Sequence, residues 1–119
     1  MASKQQSFRL ATSSGTTVAG EVAVADNPYR RFMGLMGKRE LKDGAGLYLK
    51  PCSSIHMFFM RIALDVVFVD ADGQIVHICH SIKPWRMSRI VRHAKAAVEL
   101  PAGTMHRFGV KKGDVLQLT

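Results

Sequence analysis

Cys52, His56, His77, Cys79 and His80 are the residues of this chain whose types suit metal binding or nucleophilic chemistry. Cys52 and His56 stand four apart, and in an extended strand His77 and Cys79 share a face while His80 points the other way. Together Cys52, His56, His77 and Cys79 have the ligand types of a zinc site, but their spacing matches no common structural-zinc pattern. Cys52 with His56, or Cys79 with His77, has the makings of a thiolate–imidazolium pair. Neither pair has an evident third, orienting residue, and no Gly-x-Ser-x-Gly turn occurs. The competing reading is two buried thiols and hydrogen-bonded imidazoles. No cofactor is expected, and a metal- or thiol-dependent enzyme using Cys52, His56 and Cys79 stands behind a non-enzymatic binding module.

Cations form the second constellation. His56, Arg61, Lys83, Trp85 and Arg86 combine positive donors with an aromatic face, which is the chemistry of a pocket for a small anionic ligand. Lys83, Arg86, Arg89, Arg92 and Lys95 recur every three residues, with no acid between Gly73 and Glu99. This run also suits non-specific nucleic-acid binding, or a solvated edge that discourages strand pairing. No helix-turn-helix, zinc-finger or ribonucleoprotein aromatic motif accompanies it. Seventeen Lys and Arg against nine Asp and Glu give a formal charge of +8, which favours anionic partners in general. Asp65 interrupts the apolar run Leu64 to Val69 and needs a partner if that strand is buried. Arg31 or Arg61 is the natural one, and an Arg31–Asp65 ion pair is the expectation.

The elements that must position these residues are short. Phe8 to Thr12 and Thr16 to Ala25 read as strands around Ser13-Ser14-Gly15. Asn27 caps a helix with Pro28 at its first position, and Gly37 closes it, giving about residues 28–36. Tyr29, Phe32, Met33 and Met36 make its apolar stripe, with Arg30 and Arg31 off the stripe and solvated. Leu47 to Lys50, Ile55 to Met60 and Leu64 to Asp70 read as strands, the last two around a break at Arg61 to Ala63. Ala71-Asp72-Gly73 turns the chain into a return strand, Gln74 to His80. Pro84 argues for a loop leading into an extended segment over 83–95. Ala96 to Leu100, a helical turn after Thr104 and Val115 to Leu118 finish the chain.

About eight short strands with one short helix indicate a mainly β α+β fold, either β-barrel-like or of two packed sheets. At 119 residues, 47% of them apolar, residues 1–119 form a single domain, with 1–6 expected to be disordered. The opening MASKQQSFRL has no apolar signal-peptide core, and no stretch approaches the roughly 20 apolar residues that span a bilayer. With only two cysteines, the expected location is the cytoplasm.

Several pieces taken in order resemble one family. They are Arg31-Phe-Met-Gly-Leu-Met-Gly37, the Gly44-to-Leu49 strand, Ser54-Ile-His-Met-Phe-Phe-Met60 and Leu64-Asp-Val-Val-Phe-Val-Asp70. Lys83-Pro-Trp-Arg86, Glu99-Leu-Pro-Ala-Gly103 and Gly113-Asp114 complete the set. The chain is similar over about residues 17–119 to the "domain of unknown function 192" family, also called uncharacterised protein family 0127. The resemblance implies a compact, mainly β domain with a short helix at the Arg31 motif, and no reaction. Relatives often carry Trp where this chain has Phe59.

Overall fold

Seven strands and two short helices follow one another along the described residues. They are β1 (Phe8–Thr12), β2 (Thr17–Ala25), α1 (Pro28–Met33), β3 (Ala45–Leu49), β4 (Leu64–Val69), β5 (Ile75–Ile82), β6 (Ala96–Pro101), α2 (Thr104–Phe108) and β7 (Leu116–Leu118). The structure is a computed structural model that describes residues 6–119. The expectation for residues 1–6 therefore lies, apart from Gln6, outside the described residues.

The strands form one sheet in the order β5-β4-β6-β3-β2-β1-β7. Among the described strands only β2 and β3 run parallel, because α1 and its following turn carry the chain back between them. The two edges approach one another at a single bridge, Gln74 to Val115, where the Ile75 N–H donates to the Asp114 carbonyl at 2.8 Å. The sheet thus curls but is not closed, which corrects the barrel expectation. The α+β, mainly β class is as the sequence indicates.

β4 sits one strand in from the edge and is buried along its whole length. Alternation divides it into two faces. Val67 and Val69 join a cluster with Val98, Leu100, Val22 and Leu10, inside the curl. Leu64, Val66 and Phe68 join a second cluster with Leu47, Leu49, Ile55 and Met57, beneath the loops. A strand covered on both faces reads as a nearly continuous apolar run, as this one does. The β4–β5 hairpin forms as expected. Asp70 Oδ1 accepts the N–H groups of Asp72 and Gln74, each at 2.9 Å, and Gly73 takes a φ of 82°. A Cβ on Gly73 would stand 2.5 Å from the Leu116 carbonyl oxygen, so this glycine also lets the sheet edges meet.

Two expectations fail here. Residues 55–60 are not a strand; only His56 forms a bridge, to Met87. Their backbone instead zips to the following basic loop: Met57 N–H to the Arg86 carbonyl, Trp85 N–H to Met57, and Ser88 N–H to Ile55. The helix is also shorter than predicted, ending at Met33 because Gly34 leaves helical geometry with a φ of 49°. Its start is right, with Asn27 Oδ1 accepting the Arg30 N–H at 2.8 Å. Two members of the predicted stripe, Tyr29 and Phe32, are exposed, whereas Met36 packs against the core and Arg31 turns partly inward.

Candidate functional site

Asp65 is fully buried on the face of β4 that looks into the curl. Its Oδ1 accepts the Ser81 N–H and its Oδ2 the Met105 N–H, both at 2.9 Å. Ser81 has a φ of 49°, so the carboxylate also fixes an unusual backbone turn at the end of β5. The expected Arg31–Asp65 ion pair is not formed; among the described residues the ion pairs are Lys42–Glu21 and Arg107–Asp43. Strand parity is the reason, since Arg31 lies against the opposite face of the sheet.

On that opposite face is a different carboxylate. Glu99 of β6 stands across from Leu47 of β3 and Val66 of β4, and is only 3% exposed. Its Oε1 has no hydrogen-bond partner. Burial pushes its carboxyl up from 4.5 to about 7. The backbone of Gly34 approaches so closely that a Cβ there would lie 3.2 Å from Glu99 Oε1. Glu99 lines a cavity of about 320 Å³ together with Arg31, Phe32, Cys52, Ser54 and His56. That volume is within the range of small-molecule pockets.

Each polar wall of the cavity has a defined state. One guanidinium N–H of Arg31 donates to the Lys50 carbonyl over a long 3.5 Å, leaving the other donors of its fork available. The Cys52 S–H donates to the Ser54 carbonyl at 3.1 Å. Burial pushes the Cys52 thiol up; a hydrogen bond with the Ser54 backbone opposes the rise, Glu99 adds to it, and Arg31 opposes it more weakly. The Phe58 N–H donates to His56 Nδ1 at 3.2 Å, so the ring proton sits on Nε2 and is given to the Phe32 carbonyl at 3.1 Å. Both His56 nitrogens are therefore committed to backbone, and the ring acts as a brace between α1 and the 56–60 loop.

Of the residues proposed from sequence for an anion pocket, only His56 lines this cavity. Arg61, Lys83, Trp85 and Arg86 are exposed on the neighbouring surface. The candidate metal set is divided: Cys52 and His56 line this cavity, while His77 and Cys79 lie on β5. Cys52 and Cys79 are free thiols, and His77 lines a separate cleft with His80 and His106. No group of three or more His, Cys, Asp or Glu suited to a metal ion exists among the described residues. Burial raises the Cys79 thiol too, against a smaller opposing effect of Arg89. Burial lowers His77, and Arg89 and Lys112 lower it further. Both thiols are expected to react with iodoacetamide at neutral pH several-fold more slowly than a free cysteine. Rapid alkylation of either would contradict the partial burial of both side chains.

Sequence reasoning missed Glu99, although the signal was the one that exposed Asp65. An acid within the apolar run Ala96 to Leu100 demands a partner or a purpose.

These features define a small α+β domain with a curled mixed sheet and a pocket walled by one buried carboxyl and one guanidinium. Its sequence matches over residues 9–118 the profile of the DUF192 family, described as "Uncharacterized ACR, COG1430". The chain belongs to that family. A UPF0127 protein of Pyrococcus furiosus is 35% identical over 91% of this chain and 95% of its own length. A UPF0127 protein of Thermococcus kodakarensis is 30% identical over 90% of this chain and 70% of its own. A crystal structure from Sinorhizobium meliloti 1021, of a protein named a "putative transcription regulator", superposes with a TM-score of 0.81 at 30% identity, covering 99% of this chain and 96% of that one. A protein of unknown function from Novosphingobium aromaticivorans shares the fold at a TM-score of 0.82 and 24% identity, covering 93% and 83%.

Proposed function

We propose that this domain is a binding module that takes a small amphoteric molecule into the Arg31–Glu99 pocket. The observation that carries this reading is the unpaired Oε1 of Glu99, buried in a cavity that Arg31 also lines without forming an ion pair to it. A buried carboxyl without a partner is costly, by roughly 1–3 kcal/mol, so a ligand that supplies an N–H or O–H donor gains by pairing it. Arg31 suits a carboxylate or phosphate at the other end of the same molecule. The anionic ligand expected from sequence thus acquires a second, hydrogen-donating end. Binding rather than covalent catalysis fits the cysteines, since burial raises both thiols instead of activating them. A cytoplasmic setting fits the same free thiols.

The test is a thermal-shift and calorimetric screen of zwitterionic amino acids, amino sugar phosphates and purely anionic controls. At least one amphoteric compound is expected to raise the melting temperature. Arg31→Ala and Glu99→Gln are each expected to weaken that compound roughly tenfold or more. Equal binding by native protein and both variants would show that the pocket is not where the ligand goes.

A further inference from the structure

The large apolar side chains that stand exposed among the described residues all come from three segments, 29–32, 58–59 and 85–90. These segments adjoin one another. Ring centroids run from Phe32 to His56 at 5.2 Å, His56 to Phe58 at 5.1 Å, Phe58 to Trp85 at 6.2 Å and Trp85 to Phe59 at 4.9 Å. Met87 is bridged to His56 on the same pair of zipped loops. The loops also carry exposed Arg61, Lys83, Arg86 and Arg89. No acid intervenes between Gly73 and Glu99, and Glu99 itself is buried beneath. One face therefore combines an aromatic and aliphatic crest with a positive surround.

We propose that this face docks the domain on an anionic lipid bilayer. Trp and Phe rings with flanking Arg and Lys suit the headgroup boundary, where apolar burial and attraction to anionic lipid act together. The aliphatic members favour lipid over single-stranded nucleic acid. Met87 and Ile90 are 66% and 75% exposed, and neither has a ring face on which a base can stack. The docking proposed is peripheral, through this face alone; no helix among the described residues is long and apolar enough to cross a membrane. The crest residues are also held in unusual backbone geometry, Phe59 at a φ of 62° and Trp85 at 67°. Asparagine accepts that conformation more readily than a bulky aromatic, so the crest can be stripped without breaking the loops.

Trp85 is the sole tryptophan of the chain and reports on the face directly. Its emission is expected to shift to the blue, and to resist aqueous iodide, on adding vesicles of three parts phosphatidylcholine to one part phosphatidylglycerol. Pure phosphatidylcholine vesicles should give little effect, and salt should reverse the shift. In vesicle sedimentation, Phe59→Asn is expected to bind roughly tenfold more weakly. Arg61→Gln with Arg86→Gln should weaken binding roughly 25-fold at low salt, about fivefold per charge. The double variant keeps all crest rings, so it decides the matter should Phe59→Asn fail to fold. An unchanged Trp85 spectrum with the anionic vesicles overturns the proposal. So does quenching of Trp85 by oligothymidylate without a vesicle effect, which assigns the face to single-stranded nucleic acid.

Discussion

Glu99→Gln is expected to stabilise the domain by about 3 kcal/mol at pH 8, and by almost nothing at pH 4. The carboxyl titrates at about 7 in the folded chain, against 4.5 for an unperturbed glutamate. Below pH 4.5 it is protonated in both states, and its burial carries no ionic penalty. Between 4.5 and 7 the unfolded chain ionises while the folded chain does not, so stability falls as pH rises. Above 7 the folded chain holds a buried carboxylate whose Oε1 has no partner, and the loss is complete. Gln removes the titration, so the difference between native and variant melts should grow across that window, to roughly 10 °C. A constant difference from pH 4 to pH 8 would show that Glu99 is solvated or paired. The same titration links to ligand: a donor-bearing molecule bound at Oε1 favours the ionised form, so its affinity should rise with pH through 7.

Asp65→Ala is expected to have the opposite and larger effect, a loss of about 3–5 kcal/mol at neutral pH. Two amides, the part-buried one of Ser81 and the buried one of Met105, depend on this one carboxylate, and alanine removes the acceptor of both. The Met105 N–H belongs to the first turn of α2, whose residue before the helix, Gly103, supplies no side-chain cap. Asp65 thus caps that helix from a strand 40 positions earlier in the chain. Asp65→Asn retains one acceptor oxygen and should lose less than alanine. Chemical denaturation of the three proteins checks the order; a near-neutral Asp65→Ala would mean that water replaces both contacts. Asp65 and Glu99 are both acids in apolar strands, yet one holds the fold together and the other weakens it. The difference is whether amides point at the carboxylate.

Much of the local structure is written in local chemistry. Asn27-Pro28 starts α1 because a side-chain acceptor and a preset φ act on the adjacent residues. Asp72-Gly73 turns the β4–β5 hairpin because glycine reaches positive φ without strain. Periodicity served less well in α1. Spacing says which side chains share a face of a helix, but not whether that face looks inward, and Tyr29 and Phe32 look outward. The 55–60 segment has a strand's composition, but its hydrogen bonds go to the 85–88 loop, and its turn at Phe59 needs a positive φ.

The class of fold, the family, the turn of the central hairpin and the demand that an acid buried in an apolar strand be answered are all legible in residue types and their spacing. Those follow from residue type and from neighbours within a few positions. Which partner answers which acid depends instead on how the strands pair. Strand register put Asp65 on the α2 side and Glu99 on the Arg31 side, and register is set by pairing between segments distant in the chain. The same long-range pairing separated Arg61, Lys83 and Arg86 from the cavity and gathered the exposed rings on one face.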